Sequence, residues 1–192
     1  SQAVSGLFLL PDGAVAMYLL AHGAGAGMRH PFMEAVAEAL AAEGVATLRY
    51  QFPYLETGNR RPDLPAVAVA TVRAAVARAV ELAPGLPLFA GGKSFGGRMT
   101  STAAAGGLAP VRGLVFLGFP LHPPKRPATT RADHLAQVAL PMLFLQGTRD
   151  DLADIALIRR VMEQLGGGAI LHEIPDGSHG FAVPKRTGRT ND

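Results

Sequence analysis

Residues 86–98, Leu-Pro-Leu-Phe-Ala-Gly-Gly-Lys-Ser-Phe-Gly-Gly-Arg, restrict what this chain can fold into more than any other stretch. An apolar run too short for a helix meets a Gly-Gly pair, a single Ser stands before further glycines, and a helical pattern begins. That order reads as strand, sharp turn and helix. Gly92-Lys93-Ser94-Phe95-Gly96 fits G-x-S-x-G, a strained turn that lifts the Ser hydroxyl clear of a sheet. Gly92 and Gly96 have a steric reason, because strand and helix nearly touch there and leave no space for a Cβ. The same residues also end like the phosphate-binding pattern G-x-x-x-x-G-K-[ST]. Its first glycine would fall at Pro87, and the apolar run continues to Ala90, so no loop remains to wrap a phosphate. A plain glycine-rich turn with a surface serine is the remaining rival, and only partners elsewhere in the chain can decide against it.

Strand and helix patterns alternate along the rest of the sequence. Apolar runs at 7–10 and 15–20, around Pro11-Asp12-Gly13, read as an opening hairpin with a central second strand. Further strands are expected at 45–50, 111–117, 141–146 and 169–174, and helices at 31–43, 64–82, 95–105, 130–138 and 152–165. Residues 51–65 form a long irregular excursion whose Phe52, Tyr54 and Leu55 either cover the core or line a pocket. The proline-rich run at 118–127 is a rigid loop. Alternating elements imply right-handed crossovers and a mainly parallel central sheet with helices on both faces. The ligand crevice of such a sheet lies at the carboxyl ends of its strands.

With 192 residues the chain reads as one domain, 1–192, whose polar, basic end at 184–192 is expected to be loose. It has no cysteine, which excludes disulfides and thiolate chemistry. No apolar run reaches the roughly 18 residues of a membrane span and no leader pattern opens the chain, so a soluble, unprocessed, cytoplasmic protein is expected. The net charge is +3, with basic residues scattered and no aromatic interleaving, which argues against a nucleic-acid partner.

The crevice loops carry the chemistry. Acyl transfer by a serine needs a base for the hydroxyl proton, a carboxylate to orient that base, and donors facing the oxyanion. Ser94, Asp150 and His179 occur in the chain order Ser, acid, His, each after a strand. Among the 6 histidines, His179 alone lies both downstream of the acid and in a loop leaving a strand. His22 reads as an orienting residue bonded to nearby loop backbone, while His30 and His122 either line the crevice or are ordinary polar residues. Asp150 is preferred over Asp151 and Asp154, which suit the cap and first turn of the following helix, and Asp176 reads as a Pro-Asp-Gly turn residue. The oxyanion donors are expected to be the backbone N–H groups of Phe95 and, in the glycine-rich loop His22-Gly23-Ala24-Gly25, of Ala24.

Four ordered motifs, at 22–25, 92–98, 146–150 and 177–181, resemble a small α/β-hydrolase of the dienelactone-hydrolase group. With Phe52-Pro53-Tyr54 and residues 118–124 added, the chain is most similar to a hydrolase-like family. That family is shared by uncharacterised bacterial proteins, testis-expressed hydrolase-like proteins and a subunit of the animal NSL histone-acetyltransferase complex. The resemblance implies a hydrolase fold with a Ser-Asp-His triad but no settled substrate. The chain has no insertion large enough for a lid domain, so a compact fold is expected, and the ordered triad points to a small-molecule acyl substrate with no metal or organic cofactor required. The family's subunit members imply the alternative of a binding or scaffold protein without turnover. The two differ in whether Nε2 of His179 reaches Oγ of Ser94.

Overall fold

The computed structural model describes residues 3–189. Seven strands form one sheet in the order β1-β3-β2-β4-β5-β6-β7. They are β1 Gly6–Leu9, β2 Ala16–Ala21, β3 Val45–Tyr50, β4 Leu88–Lys93, β5 Leu114–Leu117, β6 Met142–Gly147 and β7 Ala169–Ile174. Every pairing is parallel except that of β1 with β3. The helices are α1 Pro31–Ala42, α2 Pro53–Glu56, α3 Pro65–Leu82, α4 Phe95–Ala105 and α5 Ile155–Leu165, and a 3-10 segment spans Thr130–Gln137.

The alternation of side chains along β2 divides the interior. Met17, Leu19 and Ala21 point into the larger core with α3, α4 and α5, whereas Tyr18 and Leu20 meet Met33 of α1 on the opposite face. The larger core holds Phe116, Phe119 and Phe144, each almost fully buried, in one aromatic cluster. Among the described residues no helix is long and apolar enough to cross a membrane.

Several expectations need correction. The opening segments do not form a hairpin: β1 pairs antiparallel with β3, Leu7 opposite Arg49, and β2 lies on the far side of β3 between β3 and β4. Strand β2 is apolar on both faces and gains more from two parallel neighbours, while the half-exposed β1 suits an edge. The last long helix starts at Ile155, because Asp154 caps it by accepting from the N–H groups of Ala156 and Leu157. The excursion at 51–65 contains α2, and both Phe52 and Tyr54 are buried in the core. At the end of the chain a 3-10 turn spans Lys185–Thr187; residues 190–192 of the expected tail lie outside the described residues.

Candidate active site

Ser94 stands between β4 and α4 with φ 49° and ψ −115°, a backbone conformation that costs a non-glycine residue energy and persists only where its surroundings impose it. The neighbouring glycines show how it is imposed. A Cβ on Gly92 would stand 2.1 Å from the carbonyl oxygen of Ala21, and one on Gly96 would stand 2.5 Å from that of His22. Helix α4 therefore packs directly against the end of β2, and the serine side chain is left at the rim of the sheet.

The loop after β7 brings His179 to it. Nε2 of His179 lies 2.9 Å from Oγ of Ser94, and Nδ1 lies 2.7 Å from Oδ2 of Asp150. Asp150 follows β6 and its carboxylate is fully buried. That burial is offset by three donors: His179, the amide of Gln146 at 2.6 Å, and the N–H of Leu152 at 2.8 Å on Oδ1. Since an ionised carboxylate only accepts, Nδ1 of His179 carries the proton and Nε2 is free to accept from Ser94. Asp151 is exposed, and Asp154 is used as the helix cap, so neither competes for the histidine.

The loop after β2 faces the same space. His22 is wholly buried, with Nε2 accepting from the N–H of Phe52 at 3.0 Å, so Nδ1 must donate to the carbonyl of Gly23 at 2.8 Å. Burial lowers its pKa below the ordinary histidine value, in keeping with a neutral ring. Gly25 donates to the hydroxyl of Tyr54 at 3.2 Å, and the rings of Phe52 and Tyr54 pack edge-on against Phe95. Loop 23–26 is thus braced by the excursion at 51–65. Among the described residues the N–H of Ala24 has no protein acceptor, and Phe95, first in α4, has none within the helix.

These elements enclose a cavity of about 190 Å³ lined by Gly23, Ala24, His30, Lys93, Ser94 and His179, with Phe32 and Met33 as its apolar wall. His30 caps α1 and lines this cavity. His122 does not. It is buried, with Nδ1 2.9 Å from the carbonyl of Pro123 and Nε2 accepting from the N–H of Asp154 at 2.8 Å. The proline-rich loop turns its ring inward, and a buried imidazole satisfies both nitrogens on backbone.

Two contributors escape sequence reasoning. Gln146 bridges Asp150 and the N–H of Phe119 at 2.9 Å, and the signal for it is a polar residue inside an otherwise apolar strand. Lys93 sends its ammonium to the main-chain carbonyl of His179. Burial brings its pKa down to about 8, partly opposed by attraction to Asp150. In sequence Lys93 is merely the variable residue of G-x-S-x-G.

A mostly parallel sheet with a strained serine at the end of a central strand and an acid and histidine after the last two defines an α/β-hydrolase fold. The chain belongs to the alpha/beta hydrolase domain family, whose model matches residues 14–192. Solved structures agree in fold. An α/β serine hydrolase homologue from Coxiella burnetii is 20% identical with a TM-score of 0.77, over 92% of this chain and 83% of that one. Dienelactone hydrolase from Anabaena variabilis is 28% identical with a TM-score of 0.76, over 94% and 84%. A Xanthomonas campestris protein, described as an α/β serine hydrolase without a lid, is 23% identical with a TM-score of 0.73, over 93% and 81%.

Proposed function

We propose that the protein is a serine hydrolase that cleaves a small ester, thioester or related acyl substrate through an acyl-enzyme. The observation that carries the reading is the unbroken relay from Ser94 through His179 to Asp150, at 2.9 and 2.7 Å. Oγ of Ser94 attacks the acyl carbon while Nε2 of His179 takes its proton, and Asp150 stabilises the imidazolium that forms. The tetrahedral oxyanion is met by the N–H groups of Phe95 and Ala24, each of which contributes about 3 kcal/mol to the transition state. His179 then protonates the leaving group, and water, deprotonated by the same nitrogen, releases the acid and regenerates Ser94. This sequence needs no metal or organic cofactor.

The cavity of about 190 Å³ with its apolar wall favours a short acyl group. The finer kinship, to the group of bacterial hydrolase-like proteins, testis-expressed proteins and the NSL subunit, belongs to this proposal and rests on the segments at 52–54 and 118–124. A scaffold without turnover would have no need of the 2.9 Å contact between Nε2 and Oγ. A fluorophosphonate probe is expected to label Ser94, and short p-nitrophenyl esters to be hydrolysed. Ser94→Ala should lower kcat by about a millionfold at unchanged melting temperature. A folded wild type that neither reacts with the probe nor loses esterase activity on Ser94→Ala would overturn the reading.

A further inference from the structure

Lys93 ends β4, so its backbone is held by the same strand that delivers Ser94. Its side chain reaches the loop after β7, where Nζ donates to the main-chain carbonyl of His179. The ammonium lies 5.0 Å from the ring centroid of Phe181 and 5.9 Å from that of Phe32, and the two rings stack at 5.8 Å. Phe181 itself has φ 65°, so the backbone beside the histidine is strained.

We propose that Lys93 is a positioning residue for the base: its ammonium ties the backbone of His179 to the nucleophile's strand and keeps Nε2 within reach of Ser94 Oγ. The inference rests on the hydrolase reading above and deepens it. Bonds within the loop bracket His179 without holding it. Gly177 donates to Ile174 at 3.0 Å and accepts from Arg149 at 2.9 Å, Ser178 donates to Ala182 at 3.0 Å and Phe181 to Ser178 at 2.9 Å, and none of these uses the peptide groups of His179. Asp150 fixes only the Nδ1 end of the ring, about which the imidazole can pivot and carry Nε2 away from the serine. A second strut, from Nζ to the carbonyl of His179, fixes the backbone from which the ring springs and so narrows that movement.

An apolar side chain at position 93 would pack on Phe32 and Phe181 but could not hold a carbonyl. The charge has a further use, because it partly offsets that of buried Asp150. Other titratable groups facing the ammonium are His179 itself and His30 across the cavity.

The chain contains no cysteine, so the thiol of Lys93→Cys can be alkylated at that position alone. The variant is expected to fold as the wild type by circular dichroism. It should lose the downfield imidazole proton resonance of the His179–Asp150 bond and react with a fluorophosphonate about 100-fold more slowly. Aminoethylation, which rebuilds an ammonium at nearly the same reach, should restore both. Propylation, equal in length and uncharged, should restore neither. The proposal is overturned if the unmodified variant keeps the wild-type resonance, or if propylation restores it as well as aminoethylation does. Lys93→Met carries the same test if the cysteine variant does not fold: loss of the resonance supports the proposal, and its persistence overturns it. If the wild type itself ignores the probe, the hydrolase reading fails, while the resonance still decides what Lys93 does.

Discussion

The serine turn at 92–96 and the histidine loop at 177–181 deliver side chains to one cavity, yet Ser94 and His179 are held by different physics. The turn is fixed by backbone against backbone: β4 lies so close to β2 at Gly92, and α4 to the end of β2 at Gly96, that neither glycine admits a Cβ. The histidine loop also meets backbone, with the N–H of Arg149 on the carbonyl of Gly177 at 2.9 Å and Gly147 packed against Gly177 and Ser178. His179 itself, however, is held by side chains from elsewhere: Asp150 on its ring and Lys93 on its carbonyl, with Phe32 against Phe181 nearby. Steric constraint of the first kind shows in local sequence as obligatory glycine. Constraint of the second kind is carried by ordinary residues far apart in the chain. Ser94 is therefore held by the backbone around it, and the ring of His179 only while its side-chain partners hold.

The contrast can be broken from either side. Asp150→Asn should leave the serine turn intact and still lower kcat by about 10⁴, because the amide favours the wrong imidazole tautomer; steady-state kinetics beside an unchanged circular dichroism spectrum would check this. Gly92→Ala attacks the turn itself. With a Cβ 2.1 Å from the oxygen of Ala21, a loss of about 4 kcal/mol or more in unfolding free energy is expected in urea titrations.

Gln146→Leu acts one step further from the chemistry, removing a donor from Asp150 and the acceptor of Phe119 N–H. A fall in kcat/KM of about 10- to 100-fold is expected, greater than the accompanying change in melting temperature would explain.

The smallest effect is one of pH on stability. The pKa of Lys93 is about 8 in the folded protein, against an ordinary 10.5. Between those values the unfolded chain holds more protons than the native one, so this group makes stability rise with pH across that window. Lys93→Met should flatten that part of the profile, measured as urea midpoints from pH 7.5 to 10.5. A slope identical to the wild type would mean that the lysine titrates normally and is more exposed than its position implies.

Much of this was legible in the chain. The helix at 95–105 and the strands at 45–50 and 169–174 occur where the residue patterns place them, since their apolar periodicity agrees with the burial that the sheet supplies. The opening segments read as a hairpin in sequence because two adjacent apolar runs around Pro-Asp-Gly carry a local turn signal, whereas the partner of β1 is chosen by competition for the edge of β3. His122 stays open in sequence for a similar reason: a histidine in a loop at a strand end is a crevice candidate, but the direction of its ring depends on the N–H of Asp154.

Local chemistry determined the turn at Ser94 and the glycines that the close approach requires, because each is a constraint within a few bonds of the residue concerned; the acid and histidine are legible only as loop residues that follow strands in the right order. The tertiary structure decided the rest: how Asp150 meets the ring of His179, what braces loop 23–26, and how the carbonyl of His179 is held by Lys93. Those contacts join residues tens of positions apart, and many side chains could make them, so no short pattern encodes them until the sheet brings the strand ends together.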